Sequence, residues 1–274
     1  MTFAAYESSM EDGRPITLYR FTLGTTVWRY TSHDKDVLLP DGSVWKSVAI
    51  SDEGIKQSGE AASDAMNISA PITIGPVQAH LVTPPSQAIQ VVILRKHVDS
   101  DDVTAAWAGE VMQVNPSVPG SARITCETTA VSMRREGLRL VWQRTCPYAL
   151  YDPVTCKVNK VGYATPLIVL ERSGFTIRTN AASSMPDGWF SGGFIQWQHP
   201  VRGAEFRGIN SHSGDVLGIF GAVDDIYDGL RITAYPGCSR TAAVCRDKFN
   251  NLPNYGGIPN MPGKSPFDGN PVFY

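Results

Sequence analysis

Charge is scarce in this 274-residue chain: Asp, Glu, Lys and Arg make up 18% of it, against about 25% in an ordinary soluble domain. Long apolar runs are missing too. The longest resemble residues 91–94 (Val-Val-Ile-Leu) and 167–170 (Leu-Ile-Val-Leu), far short of the roughly 18 residues that span a bilayer. No basic stretch precedes an apolar one near residue 1, so no Sec-type leader is expected. No basic stripe stands out: residues 1–157 carry 14 basic and 17 acidic side chains, and residues 158–274 carry 10 and 9. That excludes the phosphate-neutralising face of a typical nucleic-acid binder. P-loop and dinucleotide fingerprints are absent. Disorder is excluded as well, because 42% of the residues are hydrophobic and a disordered chain needs few such groups and much charge.

Glycine (25) and proline (19) are plentiful, and the dominant hydrophobic period is two. Strands are expected at Ile16–Leu23, Val27–Tyr30, Val44–Ile50, Ala65–Ile68, Ala88–Lys96, Ala105–Asn115 and Ser121–Glu127. Asp41-Gly42 is a hairpin signal, since a primed turn needs positive φ. The start of the Thr129–Arg144 stretch suits a short helix, limited by Gly137. A second β-rich stretch runs from Leu167 to Tyr235, with a turn or short helix at Asp224–Asp228 before a strand at Leu230–Tyr235. From Pro253 to Pro271, 9 of 19 residues are Gly or Pro, which suits an extended tail anchored by Tyr255, Ile258, Met261, Phe267, Val272 and Phe273. The expected class is mainly β: two barrel- or sandwich-like domains with few short helices, residues 1–140 and 141–274. Low charge suits a surface largely covered by partners.

Five cysteines sit at 126, 146, 156, 238 and 245. Cys126 alternates within a strand and reads as a small core residue. The other four form two pairs, with nine residues between Cys146 and Cys156 and six between Cys238 and Cys245. Eighty-one residues separate the pairs, enough for a β-domain that brings its two ends together. Four converging thiolates suit tetrahedral zinc or an iron–sulfur cluster. Zinc sites favour tighter pairs, so the longer loops suit a cluster better without excluding zinc. Spacing leaves two disulfides or four core cysteines open as well, although disulfides are rare in a reducing cytosol.

Trp142-Gln-Arg-Thr-Cys146-Pro-Tyr-Ala-Leu-Tyr-Asp-Pro-Val-Thr-Cys156 resembles one signature of a phage tail family. Pro236-Gly-Cys238-Ser-Arg-Thr-Ala-Ala-Val-Cys245, continuing through Phe249, Asn254, Gly256 and Pro259 to Gly263, resembles a second. Both are similar to the baseplate hub proteins of siphophages and gene transfer agents, relatives of the minor tail protein L of lambda-like phages. The resemblance implies a non-enzymatic homotrimeric hub at the tail tip of a virion, assembled in the host cytoplasm. It would join the tail tube and distal tail protein to the central fibre or receptor-binding protein, with the tape measure protein as a further neighbour. It also implies a [4Fe-4S] cluster held by Cys146, Cys156, Cys238 and Cys245; the alternative is the same hub role with zinc or no metal at these residues. Tyr148 and Tyr151 are candidates to shield the site, with core packing as the commoner use of such rings.

The alternative from another class is a tail-associated cell-wall hydrolase, for which two kinds of active site are conceivable. A cysteine hydrolase needs a Cys–His pair, for which Cys146 with His199 is conceivable; His199 and His212 otherwise read as solvated loop residues. A glycosidase needs two facing carboxylates, for which Glu205, Asp215, Asp224 and Asp225 are the candidates. Asp224-Asp225 reads as a polar turn.

Overall fold

The computed structural model describes residues 3–9, 13–55, 65–81, 83–129 and 140–261. The chain divides into two compact units. The first takes residues 1–135 together with 198–205; the second takes 136–197 and 206–274.

In the first unit nine strands form one sheet: β1 (Pro15–Leu23), β2 (Thr26–Thr31), β3 (Val37–Leu38), β4 (Val44–Ser47), β5 (Ser51–Asp52), β6 (Met66–Pro71), β7 (Gln90–His97), β8 (Val103–Pro116) and β9 (Ser121–Thr128). Their order is β3-β4-β2-β1-β7-β8-β9-β6-β5. Neighbours run antiparallel except β2 and β4, which pair in parallel with Tyr30 opposite Lys46. Strand β1 shows why the apolar run at its centre is nearly continuous. Tyr19, Phe21 and Leu23 enter the main core, with Ile68, Val91, Ile93, Ile124 and Cys126. Ile16 and Leu18 enter a second cluster with Leu39 and Trp45. Gly24, at φ +57°, turns β1 into β2, where Leu23 faces Thr26; the two-residue loop demands positive φ. Two short helices, α1 (Phe3–Glu7) and α2 (Gly75–Leu81), accompany the sheet.

The expected strands are present with small shifts at their ends, but the first unit is an open sheet and not a barrel. Its terminal strands, β3 and β5, are two residues each and pair with one neighbour only, too short to close a cylinder on one another. Cys126 is fully buried, and burial pushes its thiol up to about 12.

A barrel is formed by strands of the second unit, β12 ending and β13 beginning within 198–205: β10 (Thr165–Ser173), β11 (Thr176–Thr179), β12 (Phe194–His199), β13 (Gly203–Ser213), β14 (Val216–Ile219) and β15 (Arg231–Tyr235). The closed order is β10-β11-β14-β13-β12-β15. Closure rests on β15, which pairs with β10 (Thr165 opposite Ala234) and with β12 (Phe194 opposite Tyr235). Alternate residues point inward, so Leu167, Val169, Ile177, Ile195, Ile209, Leu217 and Ile232 fill the interior, as a barrel this small requires. After β15 comes a helix, α3 (Ala242–Asp247), which alternation alone does not reveal. The helix expected at the start of Thr129–Arg144 falls mostly on residues 130–139, outside the described residues. Of the expected tail, the part from 262 onward, with Phe267, Val272 and Phe273, also lies outside them. No helix among the described residues is long and apolar enough to cross a membrane.

Candidate functional site

The first strand of the barrel and the last are neighbours. Because Thr165 faces Ala234, the chain entering β10 and the chain leaving β15 start from the same place. Cys156 precedes that pairing by nine residues and Cys238 follows it by four. The two cysteine pairs are therefore brought together by barrel closure.

Backbone bonds then interlace the two segments. Cys146 N–H donates to the Arg240 carbonyl at 2.8 Å. The Tyr151 hydroxyl donates to the Pro236 carbonyl at 2.8 Å. The Tyr255 hydroxyl lies 2.7 Å from the Arg144 carbonyl and 3.2 Å from that of Arg240. Arg144 Nε donates to the Met261 carbonyl at 2.8 Å, and Ile258 N–H to Gln143 O at 2.9 Å. Of the expected hydrophobic anchors among the described residues, Tyr255 and Met261 are half-buried and Ile258 is 39% exposed. Thr241 caps α3, its side chain accepting from Val244 N–H, and so aims Cys245 from the first turns of the helix.

All four cysteines line one cavity of about 110 Å³, together with Tyr148, Leu150, Arg240, Phe249 and Tyr255. No disulfide joins any of the five cysteines in this structure. Burial pushes the Cys238 thiol up, and Cys146 and Cys156 add to that while the Arg240 N–H, 3.3 Å from its sulfur, opposes it. Burial likewise raises Cys245, with Cys238, Cys146 and Cys156 adding to it. Lys248 stands behind the loop. Its Nζ donates to the carbonyls of Trp189 (2.5 Å) and Gly237 (2.8 Å), and burial pulls its pKa down to about 8 against the pull of Cys238.

The backbone around the cavity is unusual. Among the described residues, the non-glycine positions with positive φ are Tyr151, Lys157, Arg240 and Asn250, and all four lie in the segments that carry the cysteines. Such conformations cost free energy and persist where the surroundings over-determine them. Glycine serves a different purpose here. A Cβ at Gly193 would collide with the Tyr235 carbonyl, and one at Gly237 with the Ser191 carbonyl, so these two backbones pack directly against each other. Tyr148 forms part of the cavity wall. Tyr151 packs edge-on against Phe194, Tyr235 and Phe249, with ring centroids 6.2–6.3 Å away.

A single zinc ion at Zn–S of about 2.3 Å draws its four sulfurs to within about 3.8 Å of one another. Among the described residues no group of three or more His, Cys, Asp or Glu side chains is placed so that it could hold a metal ion as it stands, so the four cysteines share a cavity without forming the ready metal site expected to close this unit. A cavity of about 110 Å³ holds several times the roughly 30 Å³ of one water. The donor set, four cysteines around one cavity, is the type that zinc sites and iron–sulfur clusters share.

The residues considered for hydrolysis have other uses. His199 Nδ1 accepts from the N–H groups of Val201 (3.2 Å) and Arg202 (3.1 Å) and caps a turn. His212 is not solvated: it is buried, with Nε2 3.2 Å from the Ala182 carbonyl and 3.0 Å from that of Gly214, and its ring lies against Phe190. Glu205 is fully buried and accepts from Ser86 N–H (3.1 Å) and Oγ (2.8 Å). Asp215 accepts from Ser183 N–H at 3.0 Å. Asp224 and Asp225 diverge, toward Arg172 (3.4 Å) and Arg207 (3.2 Å), and the Asp225 side chain is buried, more than a polar turn would give. Each carboxylate is engaged in its own structural contact.

Sequence reasoning passes over one residue of the site. Asn251 bonds to Cys156 and Cys245 at once, and only its place in an Asn-rich segment, Asn250-Asn251-Leu-Pro-Asn254, marks it.

Residues 188–265 match a family described as phage conserved hypothetical protein BR0599. An uncharacterized protein of Xylella fastidiosa (strain 9a5c) is 27% identical over 166 residues, 56% of this chain and 34% of that protein. The chain thus spans about a third of that relative's length. Among solved structures, a chain from the virion of a native gene transfer agent particle is similar over 98% of this chain and 95% of its own, with a TM-score of 0.82 and 17% identity. That similarity shows a shared fold along nearly the whole chain.

Proposed function

We propose that this protein is a structural component of a phage-type virion, a baseplate hub at the tail tip whose second unit is closed on a [4Fe-4S] cluster. Cys146, Cys156, Cys238 and Cys245 hold the cluster. The observation that carries the reading is the convergence of two distant cysteine pairs on one cavity of about 110 Å³. The fold shared with a gene transfer agent virion chain and the phage family match over 188–265 support a virion role. So does the apolar surface at Leu140, Val141 and Trp142, three consecutive residues 59–83% exposed, since contiguous exposed apolar surface marks sites covered by partners.

In this role the cluster supplies cross-linking and not turnover: four ligands from the entry and exit of the barrel make binding free energy into folding free energy. The chain's own residues do the rest. Tyr148 walls the site, Arg240 N–H points at Cys238 Sγ, and Lys248 places positive charge behind the loop. The partners are the distal tail protein, the tape measure protein and the central fibre or receptor-binding protein, and the hub is a homotrimer, consistent with closed ring symmetry.

Iron and acid-labile sulfide analysis of protein purified without air tests the cluster. Four irons per chain with absorbance near roughly 400 nm are expected. Colourless protein loaded with zinc, or with no metal, refutes it. Mass spectrometry of purified particles tests the virion role, which fails if the chain is absent from them.

A further inference from the structure

The two cysteine pairs are far apart in sequence, and Asn251 bonds to one cysteine of each pair. Asn251 Nδ2 donates to the Cys156 carbonyl at 2.6 Å and lies 3.9 Å from Cys156 Sγ. Its own backbone brackets Cys245: Asn251 N–H donates to the Cys245 carbonyl at 2.9 Å, and the Asn251 carbonyl accepts from Cys245 Sγ at 3.2 Å. A carbonyl can only accept, so the amide face toward Cys156 is the donor. The opposite face is pinned, because Asn254 Nδ2 donates to Asn251 Oδ1 at 2.7 Å. Asn250, with φ +46°, supplies the turn that brings Asn251 back over the end of α3.

We infer that Asn251 is a positioning residue that sets the separation of Cys156 from Cys245 and directs an N–H at the Cys156 sulfur, with Asn254 holding the amide in register. The inference rests on the proposed cluster for its electronic part and stands without it for its geometric part. An N–H directed at a ligand sulfur stabilises the more negative, reduced state of a cluster and raises its potential. Partners one step behind the ligands also govern how tightly a centre is held. Asn251 ties the ligand from the first segment to the ligand from the second, so its loss lets the pairs drift.

The test uses the full-length chain, reconstituted with ferrous iron and sulfide without air, as wild type, Asn251→Ala, Asn251→Asp and Asn254→Ala. Tyr163→Phe is the control; it removes a hydroxyl bond to the Phe249 carbonyl (3.3 Å) in the same segment without touching a cysteine. Iron release to a chelator and the midpoint potential are measured. Both Asn251 variants are expected to release iron about ten- to a hundred-fold faster and to show a more negative potential. Asn254→Ala is expected to lie between them and wild type, and Tyr163→Phe to match wild type. Release and potential unchanged in both Asn251 variants overturn the inference, as does a potential shifted equally by Tyr163→Phe, which would mark mere loosening. If wild type takes up no iron and sulfide, the cluster fails, and the clasp is judged on the metal-free protein. Cys156 and Cys245 must then alkylate faster in Asn251→Ala than in wild type, with Cys126 unchanged; equal rates overturn it.

Discussion

The barrel and the cysteine segments flanking it are continuous in sequence, yet they are ordered differently. Inside the barrel, Val169, Ile177, Ile195, Ile209 and Leu217 have no exposed surface. Along 140–164 and 238–261 together, the buried residues are Val158, Cys245 and Phe249. Those segments consist of turns, one six-residue α-helix, two single-turn 3-10 helices (Lys160–Tyr163 and Leu252–Asn254) and four strained non-glycine positions. Burial at about 25 cal/mol per Å² is sufficient reason for the barrel to fold. It is a poor reason for the flanks; on the proposed reading, metal binding by the converged cysteines supplies the further source of order.

The largest effect follows directly. Cys238→Ser is expected to abolish iron and sulfide uptake and to remove stabilisation on the order of 10 kcal/mol, the scale of structural metal sites. Limited proteolysis would show the contrast, with new cleavage within 140–163 and 236–261 while the sheet of the first unit stays resistant. Cleavage spread evenly over both units would mean that the flanks and the core are one cooperative structure. Normal particle assembly by this variant would contradict a structural cluster.

A smaller effect probes the other side. Ile209→Ala empties a fully buried site in the barrel and is expected to cost about 2–5 kcal/mol, seen as a lower denaturant midpoint. If the flanks depend on their ligands more than on the barrel interior, the iron content of the surviving folded protein stays at the wild-type level. Loss of iron in proportion to stability would erase the distinction.

The same contrast explains what could be read from the residues alone. Strands such as β1 and β9 are legible because alternation is a local signal and the hydrophobic effect enforces it. Which unit closes into a barrel is not, since closure depends on β15 meeting both β10 and β12, residues about 65 and 40 positions away. The pairing of Cys146 and Cys156 with Cys238 and Cys245 stands out through spacing and turn-rich surroundings. Asn251 does not, because its role depends on a left-handed Asn250 and on hydrogen bonds that no composition encodes. His212 misled for a similar reason: a histidine beside Ser-Gly-Asp looks like a loop residue, and burial against Phe190 is a tertiary fact.

The smallest effect uses one device that occurs in both regions. In the flank, Asp152 accepts from Thr155 N–H (2.7 Å) and Oγ (2.5 Å), and these bonds hold its carboxyl below the usual range. In the barrel unit, Asp215 is held down chiefly by Ser183, with Arg178 and His212 assisting. A carboxylate whose folded pKa is depressed stabilises the fold above its unfolded value near 3.9, and that contribution is lost as pH falls through the folded pKa. Both residues are half-buried with their carboxyls still reached by solvent, so both contributions are small. Thr155→Ala and Ser183→Ala should therefore each flatten the acid limb of the stability profile slightly and leave neutral pH almost unchanged. Matched flattening in denaturant titrations at pH 3–5 would show that the flank and the barrel share their surface electrostatics and differ only in what lies beneath. If Thr155→Ala alone also lowered stability at pH 7, the Asp152–Thr155 turn would be helping to hold Cys156 in place, and the flank would owe part of its order to turn geometry independent of any metal.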